Sequence, residues 1–179
     1  MNPFFVRQMA MYSAYHRNAR NRATHFVGIP MIAIALFVPM TWVEFGAPGG
    51  LPITLAVLFW LTVSAFYVWL DRTIGVAMTV VGLLFLLIAA EIAARGAAVG
   101  WTAFAALFVV GWVFQLVGHV FEGRRPALVD NLLQALIGPM FLVAEVVFAL
   151  GFSRELHEAV ESRWVDFAAT ASPSTPIQA

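Results

Sequence analysis

The sequence predicts an all-α integral membrane protein, a bundle of four to five transmembrane helices preceded by an interfacial helix. Of its 179 residues, 61% are apolar and 11% are charged, whereas a soluble domain carries about a quarter of its residues as charged side chains. The chain has no cysteine, which excludes disulfides, thiolate zinc sites and iron–sulfur clusters. Its formal net charge of zero gives no indication of nucleic-acid binding.

Five apolar runs approach the length of about 20 residues that a membrane helix needs. The first four contain no charged residue: 26–43, 51–70, 73–90 and 97–118. Residues 1–22 mix apolar side chains with four arginines, which favours an interfacial helix and a cytoplasmic N-terminus in a bacterial inner membrane. We expect residues 1–167 to form a single membrane domain and the uncharged tail, 168–179, to be disordered.

The fifth run, residues 132–152, has two interpretations. It is interrupted by Gly138-Pro139 and carries Glu145 inside an apolar stretch. The Gly-Pro pair could kink a spanning helix, or it could turn a re-entrant hairpin that returns to the cytoplasmic face. A hairpin would bring Asn131 and Glu145 to the same level, whereas a straight helix would hold Glu145 about 20 Å deeper.

Three of the four histidines lie beside the predicted cytoplasmic ends of spans: His16, His25 and His119. Residues three and four apart share a helix face, so Gln115, His119 and Glu122 form one stripe at the end of the fourth span. A histidine and a carboxylate at this spacing can both reach one metal ion. The fourth histidine, His157, lies in an acidic amphipathic segment and is expected to be a surface residue.

The spacing of His16 and His25 requires a break in the helix if both serve one site. At about 100° per residue, nine residues place the two imidazoles on opposite sides of a straight helix. We expect the interfacial helix to end between residues 17 and 24, with His25 on a short connector. His16 and His25 would then converge on His119, and Asn21 would hydrogen-bond a ligand or the head of a substrate.

The chemistry of three histidines and one carboxylate leaves several functions open. A lone interfacial histidine is more often a hydrogen-bonded residue than a ligand, but three on one membrane face with Glu122 in register favour a mononuclear metal site. Such ligands suit a non-haem Fe(II) oxygenase and also zinc, which would make the protein a zinc-dependent membrane hydrolase. A non-enzymatic protein that binds lipid or organises a complex is the other alternative. Gln115, Asn131 and Glu145 are expected to support the site.

Two separated groups of residues resemble the family of the yeast 2-hydroxy fatty acid dioxygenase, which was long known only as a domain of unknown function. The first group runs from Tyr15-His16 through Asn21 and His25 to Gly28-Ile29-Pro30. The second consists of Gln115, Gly118-His119, Glu122, Pro126-Ala127-Leu128, Gly138-Pro139, Phe141 and Glu145. The resemblance covers residues 12 to about 152 and so includes both histidine regions.

The resemblance implies an Fe(2+)-dependent α-oxidation, in which a long-chain 2-hydroxy fatty acid and O₂ give the acid one carbon shorter. It implies that His16, His25 and His119 are the metal-site histidines and that Glu122 is the acidic residue, either as a ligand or as a group that orients one. The substrate would chelate the metal through its carboxylate and hydroxyl, with its alkyl chain among the helices and the membrane lipids. The oligomeric state is not predicted.

Overall fold

Helices account for nearly all of the ordered elements in this computed structural model, which describes residues 1–46, 53–123, 126–129 and 131–168. The helices are α1 (Pro3–Ala14), α2 (Ala19–Met40), α3 (Leu55–Leu70), α4 (Arg72–Ala94), α5 (Ala97–Glu122), α6 (Gln134–Ala149), α7 (Arg154–Arg163) and α8 (Val165–Ala168). A 3₁₀ turn covers Ala127–Val129, and the two-residue strands β1 (Glu44–Phe45) and β2 (Ile53–Thr54) pair antiparallel. The predicted all-helical class is confirmed.

Three helices in the described residues, α2, α4 and α5, are long and apolar enough to span a membrane. The apolar helices α3 and α6 have 16 residues each, which at 1.5 Å per residue is about 24 Å, short of the ~30 Å hydrocarbon core. These lengths are consistent with a membrane protein. The number of spans, four to five from the sequence, stays a prediction.

The first helix ends earlier than the sequence predicted. α1 stops at Ala14 and α2 begins at Ala19, so the break starts before the predicted window of residues 17–24 and overlaps only its first two residues. His25 lies inside α2 rather than on a connector. The helix restarts because Asn18 caps it. The Asn18 side-chain oxygen accepts the N–H of Arg20 at 2.8 Å, which satisfies a donor that the first turn leaves free.

The re-entrant hairpin is wrong. α6 runs without interruption from Gln134 to Ala149, with Gly138 and Pro139 in its interior. A proline inside a helix removes one backbone hydrogen bond and favours a kink, but it does not force the chain to reverse. Of the two interpretations of this run, the structure therefore retains a single helix through Gly138-Pro139.

The chain divides into two compact units. The first consists of residues 1–26 and 114–179, and the second of residues 27–113. Within the first unit α1 packs against α6, α7 and α8, and buried Gln8 of α1 accepts hydrogen bonds from Gln134 at 2.6 Å and Asn131 at 3.1 Å. The predicted disordered tail, 168–179, lies outside the described residues apart from its first residue.

The second unit contains the hairpin of α3 and α4. Asp71 is the only residue between these helices, and its carboxylate caps α4 by accepting the N–H of Ile74 at 2.9 Å. Gly75 permits the tight approach, because a Cβ there would collide with the backbone of Tyr67. Trp60 links the helices again by donating its indole N–H to the carbonyl of Thr79 at 3.1 Å.

Candidate metal centre

Three buried histidines lie together in the first unit. His16 follows α1 in the chain break, His25 lies in the second turn of α2, and His119 lies in the last turn of α5. One nitrogen from each ring lies within 4.8 Å of the others. Within the described parts of the chain, this is the one group of three or more His, Asp or Glu side chains whose ligand atoms are close enough to hold a metal ion.

The hydrogen bonds of His16 and His25 define which ring nitrogen carries the proton. His16 Nδ1 lies 2.8 Å from the Tyr12 carbonyl, and His25 Nδ1 lies 2.9 Å from the Asn21 carbonyl. A carbonyl only accepts, so each Nδ1 is the donor and each Nε2 of the neutral ring keeps its lone pair. The two Nε2 atoms are 3.1 Å apart, which places two electron pairs face to face.

This separation fits two ligands of one metal ion. Two nitrogens about 2.1 Å from an ion and at right angles to each other are about 3 Å apart, and the observed distance is 3.1 Å. A shared proton is the other way to relieve the repulsion between His16 and His25. Burial, followed by the neighbouring His25, His119 and Arg22, lowers the pKa of His16 well below its ordinary value, despite the opposing Tyr12 carbonyl. The neutral imidazole, which is the metal-binding form, is therefore favoured.

Unpartnered polar atoms around the histidines give a second indication of a ligand site. His119 Nδ1, Asn21 Oδ1 and Gln115 Nε2 are all buried without a hydrogen-bond partner among the described residues. Leaving such a group unsatisfied costs about 1–3 kcal/mol, and buried polar atoms of this kind call for an explanation such as an ion or a water. The donor set of three imidazoles fits a divalent first-row metal.

Glu122 contacts backbone and amide N–H groups instead of joining the three nitrogens. Its Oε1 accepts the N–H of Arg17 at 3.1 Å, and its Oε2 accepts the N–H of Asn18 at 2.8 Å and the Asn21 amide at 3.0 Å. A carboxylate at the start of α2 also interacts favourably with the helix dipole. Glu122 thereby holds the chain break that carries His16, and its role at the metal site, as a ligand or as an orienting group, stays a prediction.

Gly118 allows α5 to lie against α2 at the level of the histidines. A Cβ built at this position would lie 2.5 Å from Asn21 Oδ1 and 3.1 Å from His25 Nδ1, and closer still to the hydroxyl of Thr24. Sequence reasoning placed Gly118 only within the family resemblance. A glycine is unfavourable inside a helix, so its position directly before His119 was the available signal for a close approach of another helix.

Aromatic rings support His16 from α1 and α6. Tyr12 stacks on the imidazole with ring centroids 3.9 Å apart and an interplanar angle of 3°. Phe141 of α6 contacts Tyr12 and His16, with centroid distances of 4.8 and 6.2 Å. Sequence reasoning did not select Tyr12 as a site residue, although its spacing of four residues from His16 is the spacing at which helical side chains meet.

The remaining predicted residues lie at different places. Gln115 is buried one turn before His119, and Glu145 pairs with Arg22 at 3.2 Å. Asn131 donates to Gln8, so it supports the packing of α1 rather than the histidines. His157 is exposed, as predicted, and stacks on Phe148 at 4.6 Å.

The site residues fall inside a stretch that matches a known family. A family model described as 2-hydroxy-palmitic acid dioxygenase Mpo1-like matches residues 3–150. The chain belongs to the Mpo1-like family. It is 35% identical over 156 residues to the 2-hydroxy-palmitic acid dioxygenase MPO1 of Saccharomyces cerevisiae, and this match covers 86% of each chain. No solved structure matches the chain. The resemblance seen in the sequence is thereby confirmed, and α7 and α8 lie beyond the end of the Mpo1-like match.

Proposed function

We propose that this Mpo1-like protein is an Fe(II)-dependent dioxygenase that shortens long-chain 2-hydroxy fatty acids by one carbon. The role as a 2-hydroxy fatty acid dioxygenase is supported by its family and by the yeast relative. The observation that carries the metal dependence is the 3.1 Å approach of two unprotonated Nε2 atoms, from His16 and His25. In the proposed reaction the C1–C2 bond of the acid breaks. C2 becomes the carboxyl carbon of the shorter acid, C1 leaves as CO₂, and O₂ is reduced as one water is formed.

His16, His25 and His119 would hold the metal, with their imidazoles neutral. Iron, when bound, would supply a Lewis acid for the 2-hydroxy acid and the redox chemistry that activates O₂. Iron is favoured over zinc because zinc has no redox chemistry, whereas this reaction oxidises a carbon with O₂. The three histidines would hold the ion and leave it accessible to the substrate head and O₂.

The protein's own groups would set the positions of the imidazoles. Tyr12 and Asn21 accept the Nδ1 protons of His16 and His25 through their carbonyls, which directs each Nε2 to the site, as partners of metal-bound histidines do. Glu122 would act as a positioning residue for Asn21 and for the chain break. The unpartnered Asn21 Oδ1 and Gln115 Nε2 would offer an acceptor and a donor to the substrate head.

The membrane would receive the rest of the substrate. We place the N-terminus in the cytoplasm and the protein in a bacterial inner membrane, with four to five spans, because short arginine-rich segments stay on the cytoplasmic side. The three long apolar helices are consistent with this arrangement. The alkyl chain would lie among apolar helices and lipids, and the carboxylate head would lie at the interface.

An aerobic turnover assay tests the proposal. Detergent-purified protein loaded with Fe(II) is incubated with 2-hydroxypalmitate, and mass spectrometry should find pentadecanoate, with oxygen-18 incorporated from labelled O₂. Palmitate, which lacks the hydroxyl, should not react, and the zinc-loaded protein should be inactive. Turnover without O₂, or with zinc in place of iron, would instead support the hydrolase.

A variant pair links the assay to the site. His119→Ala should abolish turnover, whereas Glu158→Ala, a change of an exposed residue of α7 outside the metal centre, should retain it. Both proteins should be recovered from the membrane fraction in similar amounts. Wild-type activity in His119→Ala would contradict the proposed metal centre.

A further inference from the structure

An open cavity, lined by both charged and apolar side chains, lies next to the segment that carries His16 and His25. Its volume is about 430 Å³, and its walls include Arg17, Arg22, Glu145, Phe148, His157 and Glu161. Arg17 directly follows His16, and Arg22 lies three residues before His25 on α2, a spacing at which helical side chains are neighbours. All of these residues belong to the first unit. The cavity therefore shares its supporting backbone with the metal centre.

The two arginines of this cavity differ in the number of hydrogen bonds that their guanidinium groups donate. Arg17 donates to both carboxylate oxygens of Glu161 at 2.9 and 3.1 Å and to the Ser13 hydroxyl at 3.2 Å. Its guanidinium also lies 4.5 Å above the ring of Trp164, a favourable cation–π contact. Arg17 thus links the end of α1 to α7 and to Trp164, which follows α7.

Arg22 makes a single side-chain hydrogen bond within the described residues. Its Nη1 donates to Glu145 Oε2 at 3.2 Å, and its side chain is 35% exposed. A guanidinium has five N–H donors in a planar fork, so most of the donors of Arg22 are available to a further acceptor. Glu145 restricts the orientation of the guanidinium without covering it.

We propose that Arg22 binds the carboxylate of the 2-hydroxy acid, and that Glu145 is the residue that positions the guanidinium. Arginine is suited to this task because its fork matches the geometry of a carboxylate. Contact through one carboxylate oxygen leaves the other oxygen and the 2-hydroxyl available to the histidine site. The ring of Phe148, with His157 stacked on it, gives an apolar wall for the first methylenes. This assignment rests on the proposed function, because it names the group that recognises the proposed substrate.

The test measures binding separately from turnover. Metal-free protein in detergent at a fixed concentration is dialysed to equilibrium against radiolabelled 2-hydroxypalmitate. Arg22→Gln should raise the Kd about tenfold, since a charge-assisted hydrogen bond is lost. Arg22→Lys should restore part of the affinity, because it returns the charge without the fork. Arg20→Gln is the matched control. Arg20 is on the same helix, but its guanidinium lies over the Phe121 ring at 5.8 Å. The Arg20→Gln protein should therefore bind 2-hydroxypalmitate like the wild type.

A ligand without a carboxylate separates recognition from a general loss of structure. The diol 1,2-hexadecanediol carries a hydroxymethyl group in place of the carboxylate, so wild type and Arg22→Gln should bind it equally. If Arg22→Gln binds 2-hydroxypalmitate as tightly as the wild type, the proposal is overturned. It is also overturned if binding of the diol and of the acid falls by the same factor.

A lipid contact is a third outcome. Arg22→Gln would then reduce association with phosphatidylglycerol nanodiscs and leave the affinity for the acid unchanged, which also overturns the proposal.

Turnover distinguishes this inference from the proposed function. In the iron-loaded enzyme Arg22→Gln should raise KM about tenfold, with kcat changed less than KM, and Glu145→Gln should raise KM to a smaller extent. Arg22-dependent binding without any oxidation would refute the proposed function and support the carboxylate site. Oxidation by Arg22→Gln with an unchanged KM would support the proposed function and refute the carboxylate site.

Discussion

His16 and His25 face each other through their Nε2 atoms at 3.1 Å, although nine residues separate them in the chain. The contact exists because the chain leaves helical geometry between α1 and α2 and returns to it at Ala19. Each ring is fixed from behind by a backbone carbonyl one turn earlier. The fold thus directs two lone pairs at one point, and His119 completes the group.

Removing one of the three histidines should remove the metal. We expect His16→Ala and His119→Ala, purified after iron loading, to retain less than about a fifth of the wild-type iron per chain, because two nitrogens form a much weaker site than three. Elemental analysis by mass spectrometry measures this. His157→Ala should match the wild type, and iron contents that do not differ among the four proteins would contradict the assignment.

The stability of the metal-free protein should fall as the solution becomes more acidic. The pKa of His16 is lowered in the folded state, so below about pH 6.5 the unfolded chain binds a proton that the folded chain does not. The stability contributed by neutral His16 is complete above that pH and is lost as the pH falls toward the folded value. The thermal midpoint in detergent should therefore decrease between about pH 7 and pH 5.

A variant identifies the source of this pH dependence. In His16→Asn the decrease in the thermal midpoint should be smaller, because the side chain no longer titrates, even if the protein is less stable throughout. His157→Asn, which removes an exposed histidine, should keep the wild-type slope. Equal slopes in wild type and His16→Asn would show that His16 does not cause the effect.

Glu122→Gln should weaken the metal site without removing a ligand. The carboxylate accepts three N–H donors, and an amide presents its own N–H₂ to some of them, so we expect a loss of about 1–2 kcal/mol in stability. Loss of a supporting hydrogen bond lowers metal affinity by about 10–100-fold. Iron titration should reach the wild-type stoichiometry at a higher iron concentration.

The control for this change is Glu158→Gln, which alters an exposed carboxylate of α7 and should titrate like the wild type. A Glu122→Gln protein whose affinity and stability equal those of the wild type would contradict the positioning role. A reduced stoichiometry at saturating iron would assign Glu122 as a ligand instead.

Gly118→Ala should separate α5 from α2 at the site. The added methyl collides with Asn21 and Thr24 and crowds His25, and overpacking of this kind costs about 1–3 kcal/mol. We expect a lower thermal midpoint and weaker iron binding, both measured in detergent. Val117→Ala changes the adjacent, half-exposed residue and should have a small effect. Wild-type iron affinity in Gly118→Ala would show that the close approach is not required.

Local sequence patterns predicted the helices and the association of the three histidines, but not the contacts that fix them. The break between His16 and His25 could be predicted because a straight helix separates their rings. Its position could not, because Glu122 stabilises it from 105 residues away. The same holds for Arg17, whose partner Glu161 lies 144 residues further along the chain. The Gly138-Pro139 pair allowed either a kinked helix or a turn from the sequence, and the structure has a continuous helix.

The link from Glu122 to the backbone of Arg17 and Asn18 also constrains the order of biosynthesis. The ribosome completes His16 and His25 about a hundred residues before His119 and Glu122. Until α5 has been made, the nascent chain therefore lacks His119. It also lacks the Glu122 carboxylate, which holds the segment that carries His16. Under the proposed function, iron capture follows translation of most of the protein, because a chain truncated before α5 lacks His119 and Glu122.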